Sequence, residues 1–137
     1  MMIELTNGYI TDENGLKSTI SNKILPMKNQ QYSYFLLVVS SVKETVKISI
    51  YPINHEKVLK LVLNGSSINT QTLNLLPKLF VDNIIHTSGI FNVGKTSVYE
   101  IYISIDSTQN PNFDIDLNNI RNLEGIDSVY EKWIQIL

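Results

Sequence analysis

Apolar residues along this chain fall into short strand-length runs, two of which alternate with a period of two, and only two stretches shift towards the 3.6 period of a helix. In "TVKISIYPI" Val46, Ile48, Ile50 and Pro52 share one face, while Lys47, Ser49 and Tyr51 share the other. The apolar run "YSYFLLVV" precedes it across polar "SSVKET", so residues 32–53 read as a hairpin. Upstream, residues 1–31 are polar and rich in turn signals, with Asn7-Gly8, Asn14-Gly15 and Pro26. Short strands near "IELTNGYI" and "LKSTISNKI" fit this region, and no amphipathic helix of useful length is predicted there.

From residue 57 onward the elements alternate. "KVLKLVLNG" (57–65) reads as a strand stopped at Asn64-Gly65, with a helix over "HEKVLKLVLN" (55–64) as the competing reading. In "SINTQTLNLLPKLFVDN" the positions Ile68, Leu73, Leu75, Leu76, Leu79 and Phe80 approximate helical spacing, with Asn69 or Thr70 as N-cap and Pro77 as a kink or an early turn. "NIIHTSGIF" predicts a strand, "NVGKT" a turn, and "SVYEIYISI" a further strand with Val98, Glu100, Tyr102 and Ser104 on one face. "STQNPNFD" reads as a loop. "DLNNIRNLEG" predicts a short helix capped by Asp116 and closed by Gly125, and "SVYEKWIQIL" a last strand. The order β-α-β-β-α-β predicts an α+β chain whose residues 57–137 form a ferredoxin-like plait, preceded by a β-rich extension over residues 1–56.

Composition narrows the chemistry. The chain has 137 residues and no cysteine, which excludes disulfides, thiolate metal sites and cysteine nucleophiles. Its formal net charge of −2 supplies no bulk attraction to nucleic acid or to anionic membranes. The apolar runs are too short to span a bilayer, and "MMIELTNGYITDENG" lacks the basic-then-apolar order of a signal peptide, so a cytoplasmic location is expected.

"GIFNVGKTS" (89–97) matches the phosphate-loop pattern G-x-x-x-x-G-K-[ST]. A working phosphate loop opens a helix, whose N-terminus binds the phosphates. Here Ile-, Tyr- and Val-rich alternation follows instead, which predicts a hairpin tip and no nucleotide site. His55 and His86 are the only histidines, and neither has a metal-binding partner at the usual spacing. Asp114 and Asp116 suggest a carboxylate pair, for which helix capping is the simpler account. No nucleophile, base and orienting group assemble, so no enzyme, metal or cofactor is expected.

The run "VLKLVLNGSSINTQTLNLLPKLFVDNIIHTSGIFNVGKTSVYEIYISI" (58–105) resembles the NIL domain, a relative of the ACT domains. The points of resemblance are the strand ending at Gly65-Ser66, the signature Asn83-Ile84-Ile85, the hairpin glycine Gly94 and the strand from Val98 to Ile105. The tail "LNNIRNLEGIDSVYEKWIQI" is similar to the closing helix and strand of both families. Where the family usually has a glycine just inside the strand after the hairpin, this chain has Tyr99-Glu100. The resemblance implies a regulatory module that binds methionine or a related amino acid at the interface of paired domains. By position Asn83 would line that site, with Ile85 and His86 beside it and Gly65 and Ser66 in the first loop. Asn83 as a helix C-cap, His86 as a structural side chain and Ser66 as an ordinary loop residue are the competing readings. A structural or assembly subunit that oligomerises through sheet edges is the alternative function. A homodimer is expected on either account, because a four-stranded plait covers only one of its faces with its own helices.

Overall fold

The structure, a computed structural model, describes residues 3–19, 33–42, 44–74, 83–104 and 113–136. It is an α+β chain with two mostly antiparallel sheets. The chain divides into two compact units, one of residues Met1–Leu5 and Leu59–Trp133, the other of Thr6–Val58 and Ile134–Leu137. The expected boundary at 56/57 lies close to this division. The first five residues, however, group with the downstream unit and the last four with the upstream one.

In the Thr6–Val58 unit, β1 (Thr6–Asp12), β2 (Tyr34–Val42) and β3 (Thr45–Ile53) form a three-stranded antiparallel sheet in that order. The β2/β3 hairpin turns between Val42 and Thr45, so both strands run through much of the polar "SSVKET". Ile10, Phe35, Leu36, Val38 and Ile53 are buried, whereas Val46 and Ile48 on the edge strand β3 are exposed. Where "LKSTISNKI" predicted a strand, helix α1 (Glu13–Thr19) covers its first residues, and residues 20–24 lie outside the described set. The reason is local capping: Asp12 Oδ1 accepts the Gly15 N–H at 2.8 Å, satisfying one of the amide donors a helix start leaves open. Leu16 then buries its side chain. Asp12→Ala is expected to cost about 0.5–2 kcal/mol, read as a lower denaturation midpoint.

The Leu59–Trp133 unit carries a sheet ordered β5-β7-β4-β8, with β6 also paired to β7. Its strands are β4 (Lys57–Gly65, starting two residues before the division), β5 (Ile84–Thr87), β6 (Phe91–Val93), β7 (Thr96–Ile103) and β8 (Ser128–Gln135, ending beyond it). Helix α2 (Thr70–Leu73) follows β4, and α3 (Phe113–Arg121) follows β7. Leu59, Leu61 and Leu63 of β4 and Tyr99, Ile101 and Ile103 of β7 form one core layer. Ile68, Leu117, Ile120 and Ile126 complete it, with Leu73 and Phe113 packed against them, so both helices cover the same sheet face. The period of two explains this directly, since odd positions in both central strands point towards the helices.

"KVLKLVLNG" is thus a strand and not a helix. The Asn69 carbonyl accepts the Leu73 N–H at 3.1 Å, placing Asn69 at the start of α2, while Pro77 and the rest of that expected helix lie outside the described residues. "NIIHTSGIF" is not one strand but two, β5 and β6, broken at Gly89 with φ +79°. Ser88 bridges the break: its N–H donates to the Glu100 carbonyl and its Oγ accepts the Glu100 N–H, both at 2.9 Å. Asp116 is no N-cap, because α3 already begins at Phe113 and Asp116 stands inside its first turn. Gly125 does not close the helix directly either. It lies four residues past Arg121, in the turn before β8, at φ +90°.

Candidate functional site

Two backbone segments cross at the end of β4. The Gly125 carbonyl accepts the Ser67 N–H at 3.4 Å, and the Asn64 carbonyl accepts the Asp127 N–H at 2.9 Å. A Cβ on Gly65 would stand 1.9 Å from the Gly125 oxygen, and one on Gly125 would stand 2.2 Å from the Ser67 oxygen. Glycine is therefore required at both positions by close approach. Beside this crossing, Ser66, Ser67, Asn69, Gln71, Leu123, Glu124 and Gly125 line an open groove of about 480 Å³. Its side chains offer hydroxyls, amides, one carboxylate and one apolar wall, a set suited to hydrogen-bonding a small polar molecule.

The five predicted site residues fall into two groups. Gly65 and Ser66 belong to the crossing and its groove, Gly65 buried and Ser66 exposed. Asn83, Ile85 and His86 are half-buried at the opposite end of the sheet, where the Asn83 carbonyl accepts the Ser104 N–H at 2.8 Å. Gly65 pairs with Ser97 and His86 with Tyr102, so the groups are about 17 Å apart along β7. One chain does not bring them together. The His86 ring meets the Tyr102 ring edge-on, with centroids 5.8 Å apart.

The phosphate-loop match is the β6/β7 hairpin. Val93 pairs with Thr96, Gly94 takes φ +64° at its tip, and Lys95 is exposed. Strand β7 follows where a phosphate loop would open a helix. Among the described residues no group of three or more His, Asp or Glu side chains is placed to hold a metal, and no helix is long and apolar enough to cross a membrane.

A second polar constellation lies outside the expected set. On the sheet face opposite the helices, Lys60 of β4 is 1% exposed and Glu100 of β7 is 0% exposed. Lys60 Nζ lies 3.5 Å from Glu100 Oε1, 3.1 Å from Glu4 Oε1 and 5.6 Å from the Tyr102 ring centroid. Glu4 also meets Lys132 Nζ of β8 at 3.5 Å. Burial pushes the Glu4 carboxyl up, but hydrogen bonding and attraction from Lys60, joined by Lys132, outweigh this and hold it below the ordinary 4.5. The sequence signal is Lys60 inside "VLKLVLN" and a single glutamate in "SVYEIYISI", each amid apolar residues of a central strand.

Comparison of the chain with family models, with curated proteins and with solved structures returned no match.

Proposed function

We propose that residues 59–133 form a ferredoxin-like plait of the NIL/ACT type, and that the chain is a non-catalytic module binding methionine or a related amino acid in the groove beside the glycine crossing. The observation that carries this reading is the strand order β5-β7-β4-β8 with helical connections after β4 and β7, which is the order such a plait requires. The groove opens where the first of these connections leaves β4, next to the turn that leads into β8. Its volume of about 480 Å³ falls within the roughly 300–1,000 Å³ of small-molecule sites. Glu124 would face the ligand ammonium, Ser66, Ser67, Asn69 and Gln71 its carboxylate, and Leu123 its side chain.

Melting curves over a panel of amino acids test the proposal. A bound ligand stabilises by RT ln(1 + [L]/Kd), about 2.7 kcal/mol at a hundredfold excess over Kd. Methionine or a relative is expected to raise Tm in the wild type, and Ser67→Ala with Glu124→Gln is expected to abolish the rise. ATP and GTP are expected to leave Tm unchanged. No shift with any amino acid, together with a particle mass of twice 15.6 kDa by light scattering, would favour the assembly reading instead. The exposed apolar Val46 and Ile48 on the edge strand β3 support that second reading.

A further inference from the structure

Residues 3–5 belong to the same compact unit as β4, β7 and β8, and they are fastened to it in an unusual way. They are not assigned to a strand, yet side chains of the sheet take up their backbone groups. Asn64 Oδ1 accepts the Ile3 N–H at 3.4 Å, and Asn64 Nδ2 donates to the Ile3 carbonyl at 3.5 Å. Glu100 Oε2 accepts the Leu5 N–H. Between them, Glu4 reaches Lys60 at 3.1 Å and Lys132 at 3.5 Å. Asn64 and Glu100 thus stand in for the backbone of a neighbouring strand, reading residues 3 and 5, while the two lysines read the charge at residue 4.

Such an attachment differs in kind from a strand. A strand is held by many backbone bonds that form together, whereas this segment is held by a few side chains, several of them titratable. Buried backbone N–H groups need a partner, and here carboxylate and amide side chains supply it. A buried ammonium likewise needs its counter-charges. Lys60 shares its charge between Glu100, which is part of the sheet, and Glu4, which is part of the segment.

We propose that residues 3–5 form a charge-latched strap over the Lys60–Glu100 pair, held closed by the Glu4 carboxylate and released from the sheet when that carboxylate is neutralised. Among the described residues, the charged and titratable groups that face the latch include Lys60 of β4, Glu100 and Tyr102 of β7, and Lys132 of β8, with His86 of β5 against Tyr102. Lys60 keeps Glu100 when Glu4 is neutral, so the sheet retains a paired ammonium after the strap opens. Thr6 of β1 follows Leu5 directly, so opening changes the chain segment that leads into the other unit. The device therefore couples local acidity, or a cation competing for Glu4, to the freedom of that link. Nothing in it rests on the groove or on any ligand bound there.

Linkage sets the sign. The Glu4 carboxyl is held below its ordinary 4.5, so the latch is fully engaged above that value and is lost as pH falls through the lowered one. Amide hydrogen exchange on the full chain, corrected for intrinsic rates at each pH, reads the latch at the Ile3 and Leu5 amides. Wild type is expected to protect Leu5 at neutral pH and to lose that protection on acidification before Ile101 of β7 is affected. Glu4→Gln is expected to lose about tenfold protection at Leu5 already at neutral pH, with Ile101 unchanged, as sub-global opening requires. Lys132→Gln is expected to weaken Leu5 protection and move its loss to higher pH. Two outcomes would overturn the latch: Leu5 protection in Glu4→Gln equal to wild type, or a pH step that persists unchanged in that variant.

Discussion

Lys60→Met is expected to lower stability by about 3–5 kcal/mol, the cost of breaking a buried ion pair from one side. What the substitution leaves behind sets that size. Glu100 is 0% exposed, and without the ammonium at 3.5 Å its charge lies in a region that water does not reach. Glu4 loses its contact at 3.1 Å in the same step. Guanidinium denaturation followed at Trp133, the chain's one tryptophan and a residue of β8, measures the loss. The double variant Lys60→Met/Glu100→Gln keeps an acceptor for the Leu5 N–H and removes the stranded charge. It is expected to cost less than the two single changes added together, with a coupling of about 0.5–3 kcal/mol. Additive costs would mean that the two residues act through packing alone. Arg121–Glu131 is the control. At 2.8 Å it is shorter than the Lys60 contacts, yet both side chains are substantially exposed, so Arg121→Ala is expected to cost about 0–1 kcal/mol. Burial, not distance, separates the two cases.

The contrast also separates what is legible in the chain from what is not. A short Val/Leu-rich run stopped at Asn64-Gly65 marks β4. Period-two alternation marks β3 and β7 and puts Glu100 on the face of Val98 and Tyr102, because strand geometry alone decides which side chains share a face. Alternation carries no information about what covers that face. Lys60 in "KLVLN" therefore reads as one polar position in an apolar strand, and its partners Glu4 and Glu100 are 56 residues upstream and on another strand. Helix α1 escapes the pattern because "TDENG" is at once a turn signal and a capping sequence, and only the Asp12–Gly15 contact decides between them. The break at Gly89 is hidden for a similar reason, since a hydroxyl of Ser88 continues the pairing with Glu100 in place of backbone. For the candidate site, the resemblance selects residues by position along the chain. Strand register places Gly65 opposite Ser97 and His86 opposite Tyr102, and register between non-neighbouring segments is what a motif does not encode.

Gly125→Ala carries the other large expected effect, about 2–5 kcal/mol, summed from left-handed backbone strain and a steric clash with no flexible relief. Gly125 has φ +90°, and its Cβ would stand 2.2 Å from the Ser67 carbonyl oxygen and 2.9 Å from its carbon. Both are backbone atoms, so relief requires the loop after β4 to shift. That shift would pull on the Ser67 N–H bond to the Gly125 carbonyl and on the Asp127 N–H bond to the Asn64 carbonyl. Ser67, Glu124 and Gly125 also line the groove, so a ligand held there should bind more weakly to Gly125→Ala. Gly94→Ala separates the two contributions. It too has a positive φ, +64°, but nothing lies within 4 Å of its Cβ position at the β6/β7 tip. Its cost is expected to be the backbone term alone, about 1–2 kcal/mol. Denaturation midpoints of the two variants decide the matter: equal losses would mean that the crossing gives way freely, and a larger loss at Gly125 measures how tightly the two segments are locked.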